Sequence, residues 1–344
     1  MKVLALAHQY VPVRNAGAET MLHGMLSALA RAGHDVHASL SMQDGEPYEH
    51  DGVKVWPRQG PKAHHAKHLP ANLLIGHLEN TQPAAFLGHL NDVPTVLVHH
   101  NTFEASKTSL HLYGARADLV VVNGRWMADD LAAWHAHQGL PQPRTIIIRP
   151  LVHREDYAVD GPRTHVTLVN LKRLAASGPG AGLSKGGETF WALAERMPKT
   201  RFLGVTGSYG VQHEGDLPNV EVIGHVPSDR MAADVYARTR VLLMPSSYES
   251  WGRAATEATA AGIPVICSPT PGLMENLGAA GIYVDWQDVD GYVRALSTLA
   301  LPRAYAAARK RALARAGEHE RMREQDEASW IAEAERLGAL VGAR

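Results

Sequence analysis

Short continuous apolar runs alternate with longer alanine- and leucine-rich segments along almost the whole chain, and this alternation is the feature that most limits how it can fold. The first run, residues 3–7, precedes a helical pattern over 18–32, and further runs follow at 95–99 and 119–122. Uninterrupted apolar runs are typical of strands buried on both faces, as in a parallel sheet covered by helices. The sequence therefore predicts an α/β protein built on parallel sheets.

The alternation pauses once, in a polar stretch with proline and glycine at 151–162, and then resumes. A chain of 344 residues is long for one domain and suits two of roughly equal size. We therefore predict two Rossmann-like, doubly wound domains, residues 1–155 and 163–325, followed by a helical tail at 326–344. Because ligands of such folds bind at the carboxyl ends of the strands, we expect a cleft where those ends of the two domains face each other.

Net charge and cysteine content restrict the partners and the compartment. The formal net charge of −1 gives no general attraction to nucleic acid or to an anionic membrane. Cys267 is the only cysteine, which excludes an intrachain disulfide and favours a reducing interior. The apolar run at the amino terminus is broken by His8 and is too short to cross a bilayer. We expect a cytoplasmic protein without stable membrane insertion.

The segment 245–264 places two carboxylates, Glu249 and Glu257, in otherwise small and apolar surroundings. It follows a predicted strand at 241–244, and Ser250 is a suitable N-cap for the alanine-rich helix after it. The first N–H groups of a helix lack acceptors within it and favour a phosphate. Here those groups belong to Ser250, Trp251, Gly252 and Arg253. Spacing alone leaves open whether the two acids are surface charges or a pair facing a ligand.

The residues around the two acids carry a resemblance to a known family. The pattern Pro-Ser-x-x-Glu-x-x-Gly-x-x-x-x-Glu-Ala at 245–258, followed by Gly-Ile-Pro-Val-Ile and Pro-Gly-Leu-Met-Glu, resembles the retaining nucleotide-sugar glycosyltransferases of family 4. The resemblance implies the GT-B fold, two Rossmann-like domains facing across a cleft with the C-terminal helix crossing back to the N-terminal domain. The N-terminal domain would bind the acceptor and the C-terminal domain the donor. It also implies that Glu249 faces the donor sugar and its phosphate region, and that Glu257 accepts hydrogen bonds from the ribose hydroxyls.

The same resemblance assigns the donor diphosphate to further residues. Gly17 lies in the loop where the family carries Gly-Gly-x-Glu, with Ala16 in place of the other glycine. Lys185 resembles the family lysine that neutralises the leaving diphosphate. The family also has an arginine shortly upstream, and here Lys172 and Arg173 both remain candidates for that role. The glycine- and alanine-rich insert at 175–183 has no assigned role.

Histidines are numerous, 20 in all, and one of them matches a family position. His100 follows a predicted strand at its cleft-facing end, where the resemblance implies a residue that orients the donor or the acceptor. The pattern His64-His65-x-x-His68 suggests a metal site, but three histidines in a short polar loop are more often simply exposed. The family generally needs no metal or other cofactor, so we expect none.

The most favoured function is therefore that of a retaining hexosyl- or pentosyltransferase acting on a nucleotide-diphosphate sugar. A GT-B epimerase or hydrolase of the nucleotide sugar, and a non-catalytic nucleotide-sugar-binding subunit, are alternatives. A dehydrogenase is disfavoured because neither domain opens with Gly-x-Gly-x-x-Gly between strand and helix, and the Gly-x4-Gly-Lys-Ser/Thr of P-loop proteins is absent.

The acceptor and the donor nucleotide are not defined by these motifs. In GT-B proteins the acceptor is chosen by loops of the N-terminal domain, here 56–72 and 101–113, which are polar and fit a small molecule or a glycan precursor. The chain also resembles uncharacterised bacterial and bacteriophage glycosyltransferases, some of which modify DNA bases. The near-zero net charge argues against tight DNA binding, so a DNA acceptor is the less favoured expectation.

Overall fold

The computed structural model of the chain describes residues 1–58, 65–104, 106–108, 117–174, 182–207, 212 and 215–341. The loop expected to select the acceptor at 101–113 lies partly outside these residues, as does most of the insert at 175–183. The chain divides into two compact units. Unit 1 comprises residues 1–151 together with 323–344, and unit 2 comprises residues 152–322.

Unit 1 contains a sheet in which eight strands are described, in the order β3-β4-β2-β1-β5-β6-β7-β8. All neighbours pair in parallel except β3 and β4, which form an antiparallel hairpin. All residues of β5, β6 and β7 are buried, as are those of β1 after Lys2, which is what continuous apolar runs predict. The strands are β1 Lys2–Ala7, β2 Asp35–Asp44, β3 Tyr48–His50, β4 Val53–Arg58, β5 Leu73–His77, β6 Thr95–His99, β7 Leu119–Val122 and β8 Thr145–Ile147.

The helices of unit 1 cover this sheet, and the sheet strands and α1 share one core. These helices include α1 Gly17–Arg31, α2 Thr81–Asn91 and α3 Arg125–His137. Short 3₁₀ turns occur at His65–His68 and Leu78–Asn80. Because α1 follows β1 directly, its first turn lies at the carboxyl end of a central strand.

Unit 2 contains a parallel sheet in which six strands are described, in the order β11-β10-β9-β12-β13-β14. The strands are β9 His165–Val169, β10 Arg201–Val205, β11 Val220–Ile223, β12 Thr239–Met244, β13 Val265–Cys267 and β14 Ile282–Tyr283. The helices are α4 Gly187–Arg196, α5 Arg253–Ala260, α6 Pro271–Leu277, α7 Val289–Ala300 and the start of α8 Pro302–Gly338. Short 3₁₀ turns occur at Arg154–Tyr157 and Gly278–Ala280. The predicted α/β class with two parallel-sheet units is confirmed.

Helix α8 begins in unit 2, and its residues from Arg323 onward belong to unit 1. There Trp330 is fully buried and donates its indole N–H to the carbonyl of Met25 over 2.8 Å. Arg149 of the same unit donates to the Asp326 carboxylate over 3.0 Å, and Ala334 and Leu337 join the core. The expected return of the C-terminal helix to the N-terminal domain is confirmed.

One predicted helix takes another form. The sequence indicated a helix near 228–239, whereas the chain forms a 3₁₀ turn at Ser228–Arg230 and a π-helical turn at Ala232–Tyr236. Pro227 lies directly before this segment, and Thr239 at its end returns its hydroxyl to the carbonyl of Val235 over 2.8 Å. No helix in the described ranges is both long and apolar enough to span a membrane.

Candidate functional site

The carboxyl edge of the sheet in unit 2 brings together the loops that follow β9 and β12, which are neighbouring strands. The backbone N–H of Ser184 donates to the Ser247 hydroxyl over 2.9 Å, and the N–H of Ser247 donates to the Ser184 carbonyl over 3.0 Å. These bonds tie together two loops that are 63 residues apart in the chain. The predicted functional residues of the two loops therefore lie on one fixed edge.

Lys185 and Glu249 meet on this edge. The Lys185 ammonium lies 2.7 Å from Oε1 of Glu249, and the Ser246 hydroxyl donates to the same oxygen over 3.1 Å. The side chain of Lys185 is one-third exposed and that of Glu249 is 13% exposed, so the pair remains open to a ligand. The next residue, Gly186, has φ of +92°, and a Cβ there would lie 2.2 Å from Pro245 Cγ. Only glycine allows the chain to pass this close before α4 begins.

The two candidates for the family's arginine take different positions. The carbonyl of Lys172 accepts from the N–H of Lys185 over 3.0 Å. Burial, and then the charge of Lys185, lower the pKa of the Lys172 ammonium, so the two cations lie within electrostatic range of each other. Arg173 instead lines a groove of about 480 Å³ beside Trp286, Gln287 and Thr189. The structure thus brings Lys172 towards Lys185.

The helix after Glu249 starts later than predicted. Ser250 is not its N-cap: α5 begins at Arg253, and the capping position is Gly252, with φ of +80°. A Cβ on Gly252 would lie 2.6 Å from Cδ2 of Leu273, so a serine-type cap at this position is excluded. The N–H of Ala255 in the first turn of α5 donates to the Gly252 carbonyl over 2.9 Å, whereas the N–H groups of Arg253 and Ala254 precede the first i−4 acceptor of the helix. This turn remains a suitable seat for an anion, displaced from the predicted start.

Asn276 binds the backbone of the loop between Glu249 and α5, and this contact was not predicted from the sequence. Its side chain is fully buried and donates to the carbonyls of Trp251 and Gly252 over 2.9 and 3.1 Å. His319 of α8 lies with Nε2 2.9 Å from the Asn276 carbonyl. In the sequence, Asn276 could be placed only in a helix that follows β13. That position does not identify its hydrogen-bond partners.

Glu257 lies in a buried hydrogen-bond network and is 6% exposed. The Tyr236 hydroxyl donates to Oε2 over 2.6 Å, the Tyr157 hydroxyl donates to Oε1 over 3.1 Å, and Nε of Arg253 lies 2.7 Å from Oε1. Burial, followed by the charge of Glu257, raises the pKa of both tyrosine hydroxyls, so they remain donors. Neither tyrosine was predicted, because each lies far from Glu257 in sequence.

In unit 1, Gly17 and His100 lie at the carboxyl edge of the sheet. Gly17 opens α1, and a Cβ there would meet no atom of the described part of the chain within 4 Å. His100 directly follows β6, and its ring lies 4.8 Å from that of His77, the last residue of β5, in an edge-to-face arrangement. Burial lowers the pKa of His77 to about 3 and that of His100 well below its usual range. Both imidazoles are therefore neutral.

Other polar groups accompany these two histidines at the same edge. His8 follows β1, its Nδ1 lies 2.6 Å from the Ser41 hydroxyl, and its Nε2 lies 3.0 Å from the Glu79 carboxylate. The sequence-based prediction did not include His77 or His8, although His77 ends β5 and His8 follows β1, much as His100 follows β6. Within the described residues, the buried Nε2 of His100 has no hydrogen-bond partner.

The expectation that the histidines near residue 65 are exposed is wrong for His65. This residue is 7% exposed, and its Nδ1 lies 2.8 Å from the Ser39 hydroxyl of β2. His68 packs against Trp56 with ring centroids 5.0 Å apart. His64 lies outside the described residues. The loop is drawn onto the sheet because Trp56 and Ser39 provide it with an aromatic surface and a hydrogen bond.

Two Rossmann-like units, with a lysine and a glutamate on neighbouring loops of the second sheet, define the GT-B class of glycosyltransferases. The comparisons with known proteins agree. A family model described as Glycosyltransferase Family 4 matches residues 15–155, and one described as Glycosyl transferases group 1 matches residues 189–301. The two models together match most of the chain, which belongs to the group 1, family 4 glycosyltransferases.

The chain is also similar to individual proteins that carry glycosyltransferase or glycogen synthase descriptions. Glycogen synthase of Mycobacterium tuberculosis is 27% identical over an alignment of 389 positions, which covers 91% of this chain and 89% of that protein. O-antigen chain mannosyltransferase B of Escherichia coli is 38% identical over 71 residues, which cover 21% of this chain and 18% of that protein. Among solved structures, Anabaena HepE in complex with UDP-glucose has a TM-score of 0.73 at 18% identity, covering 99% of this chain and all of that one. At this identity the structural likeness establishes the fold.

Proposed function

We propose that the protein is a retaining glycosyltransferase that moves a hexose or pentose from a nucleotide-diphosphate sugar to an acceptor hydroxyl. The observation that carries the proposal is the pairing of Lys185 with Glu249 at the carboxyl edge of unit 2. A cation for a diphosphate and a carboxylate for sugar hydroxyls are held side by side, next to the first turn of α5.

The diphosphate gains negative charge as the bond to the sugar breaks. Lys185 and Lys172 supply two ammonium groups near this position, and the first turn of α5 supplies backbone donors. Preorganised charges of this kind lower the barrier most where the charge develops in the transition state. We assign the role of the family's arginine to Lys172, because its ammonium lies within electrostatic range of Lys185, whereas Arg173 lines a groove with Thr189 and Trp286.

Glu249 positions the donor sugar, and Glu257 accepts a hydrogen bond from the ribose. A carboxylate offers about four lone-pair sites, two on each oxygen. Oε1 of Glu257 is used by Tyr157 and Arg253, while Tyr236 donates to Oε2. Oε2 keeps one site for a ribose hydroxyl, so the network holds the carboxylate in place and leaves it able to bind.

Gly17 and His100 in unit 1 keep the roles that the family resemblance implies, near the donor phosphates and the reacting sugar. Because His100 is neutral, it acts by hydrogen bonding and orientation rather than as a cationic acid. No side chain is assigned as a covalent nucleophile. The leaving phosphate takes part in deprotonating the acceptor hydroxyl on the same face of the sugar. The absence of a metal requirement and a cytoplasmic location stay predictions.

The test begins with the donor. The full chain is screened by thermal shift with UDP, GDP, ADP and dTDP, and then assayed with the matching nucleotide sugars. The printed description of HepE, a complex with UDP-glucose, makes UDP-glucose the first donor to try. A polar small molecule or a glycan precursor is the acceptor class to test first, followed by duplex DNA with a hydroxylated base.

The outcomes separate the candidate functions. Nucleoside diphosphate release that requires an acceptor, with the product keeping the donor's anomeric configuration by NMR, supports the proposal. Release that does not depend on any acceptor would assign a hydrolase, and a changed sugar still attached to the nucleotide would assign an epimerase. Donor binding without turnover over all acceptors would leave a nucleotide-sugar-binding subunit.

A further inference from the structure

Unit 1 carries a cluster of three metal-ligating side chains at the outer edge of its sheet. His23 lies on α1, His50 is the last residue of β3, and Asp51 lies in the turn between β3 and β4. One ligand atom from each lies within 4.8 Å of the other two. None of the three belongs to the donor site proposed above.

The distances suit a small divalent cation. Nε2 of His23 lies 3.0 Å from Oδ2 of Asp51, and Nε2 of His50 lies 3.9 Å from the same oxygen. In a tetrahedral zinc site with bonds of about 2.0–2.1 Å, neighbouring ligand atoms lie about 3.3 Å apart. The observed separations lie on either side of that value. Small side-chain rotations would therefore bring all three atoms to bonding distance of one ion.

The ligands are held by the surrounding structure. The Tyr10 hydroxyl, fully buried, lies 3.0 Å from Nδ1 of His23 and fixes that ring with Nε2 directed at Asp51. The rings of His23 and His50 stack at 4.7 Å with an interplanar angle of 26°. Asp51 and Gly52 have φ of 46° and 77°, the values of a tight two-residue hairpin turn. Outer partners that orient a histidine ligand are a regular feature of metal sites.

We propose that His23, His50 and Asp51 bind a Zn²⁺-type divalent cation, with water as the fourth ligand. Two imidazoles and one carboxylate favour zinc and its transition-metal neighbours, whereas Ca²⁺ and Mg²⁺ require mostly oxygen ligands. The His23 ring binds as the neutral tautomer with its proton on Nδ1, donated to the Tyr10 oxygen. Binding therefore moves the proton from Nε2 to Nδ1 and replaces the hydrogen bond to Asp51.

The ion would fasten α1 to the β3–β4 hairpin. In sheet order, strands β4, β2, β1 and β5 separate β3 from β6, which leads to His100. The site therefore supports the fold of unit 1 and supplies no group to sugar transfer. Arg31 contributes a positive charge near Asp51, but its guanidinium lies 2.5 Å from the Glu327 carboxylate, which offsets that charge. We expect micromolar affinity rather than the tighter binding of a four-ligand structural site.

The test uses the full chain without a polyhistidine tag. The protein is dialysed against EDTA to remove metal ions and then against buffer to remove the EDTA. Titration with ZnCl₂ by calorimetry is expected to give one saturable site, and Co²⁺ is expected to give a visible absorption band displaced by zinc. His23→Gln, His50→Gln and Asp51→Asn should each lower zinc affinity at least about tenfold. His137→Gln, an exposed histidine at the end of α3, serves as the matched control and should bind as the wild type does.

Folding of each variant is checked by thermal unfolding in EDTA, where all four should match the wild-type chain within a few degrees. Zinc should then raise the unfolding temperature of the wild type and of His137→Gln only. Absence of saturable binding in the wild type would overturn the proposal. Binding that survives His50→Gln with unchanged affinity would overturn it equally, because the ion would then lie elsewhere.

Discussion

The ammonium of Lys185 and the carboxylate of Glu249 form a 2.7 Å ion pair across two loops that are 64 residues apart in the chain. The pair is partly exposed, so it adds little to folding. Its position beside the first turn of α5, within range of Lys172, instead suits a bound diphosphate and sugar. Function and stability can therefore be separated at this pair by substitution.

Lys185→Met should lower turnover of the nucleotide sugar about 10²- to 10³-fold, because it removes a charge that stabilises the leaving diphosphate. The free energy of unfolding should change by less than about 1 kcal/mol, since partly exposed ion pairs contribute at most that much. Initial rates and urea unfolding measure the two effects. Arg238→Met is the control: it breaks the Arg238–Glu221 ion pair of the same unit and should leave turnover unchanged. Turnover of the lysine variant within a few-fold of wild type would contradict the assignment.

Tyr236→Phe should destabilise unit 2 by about 1.5–3 kcal/mol, because Tyr236 donates to the buried charge of Glu257 over 2.6 Å and hydrogen bonds to charged groups are worth that much. The matched control is Tyr292→Phe, a fully buried tyrosine that donates to the neutral carbonyl of Val284 over 3.3 Å. Its loss should be about 0.5–1.5 kcal/mol. Urea unfolding measures both. Equal losses in the two variants would show that Glu257 is not held as a buried carboxylate.

The buried His77 should make folding stability depend on pH. Its pKa is about 3 in the folded protein, whereas the ordinary value of 6.5 applies when the chain unfolds. The unfolded chain therefore binds the proton more readily, and the contribution of His77 is complete above about pH 6.5 and is lost as the pH falls towards 3. At pH 5 the loss from this one group is about 2 kcal/mol.

His77→Phe keeps a ring of similar shape and removes that titration. The difference in unfolding free energy between pH 7.5 and 5.0 should therefore be about 2 kcal/mol smaller in this variant than in the wild type. Urea unfolding at the two pH values provides the measurement, with His137→Gln as the exposed control. His99, with a pKa of about 4, and His100, whose pKa burial lowers well below its usual range, contribute to the wild-type difference in the same direction. An unchanged difference in His77→Phe would mean that this histidine titrates normally.

Much of the fold follows from the sequence because burial on both faces gives uninterrupted apolar runs, and the order of runs and helical segments then defines two parallel sheets. The hairpin of β3 and β4 was not predicted, although its Asp51-Gly52 turn is a strong hairpin signal. Of its two strands, β4 corresponds to a predicted strand at 53–56, whereas β3 is only three residues long and carries no apolar run that would reveal it.

For the candidate site as well, some residues could be predicted from the sequence and others could not. Lys185 and Glu249 were identified by their resemblance to the family motifs, and the structure brings their loops together at the carboxyl edge of the sheet in unit 2. The residues that support the two loops could not be predicted. Tyr157 is 100 residues from Glu257 and Asn276 is 25 residues from Trp251, and nothing local in the sequence pairs them. The close approach of Gly252 to Leu273 at the start of α5 is also a tertiary contact that the local sequence does not reveal.

Gly17→Ala tests whether the first turn of α1 contacts the donor. A Cβ at this position meets no atom of the described residues within 4 Å, and φ here is not in the left-handed region, so the substitution should leave stability unchanged or raise it by up to about 1 kcal/mol. If the diphosphate approaches the backbone of this loop, the added methyl group will hinder it and raise the KM for the nucleotide sugar several-fold.

The control for this change is Gly317→Ala in α8, where a Cβ would lie 4.0 Å from the Arg321 guanidinium and meet no other atom of the described residues within that distance. It should alter neither the KM nor, beyond about 1 kcal/mol, the free energy of unfolding. Steady-state kinetics with varied donor, together with urea unfolding, complete the comparison. Because the described part of the chain leaves room for a methyl group at Gly17, a raised KM with intact stability would indicate a ligand that occupies that space. A KM equal to that of the control would place the donor away from α1.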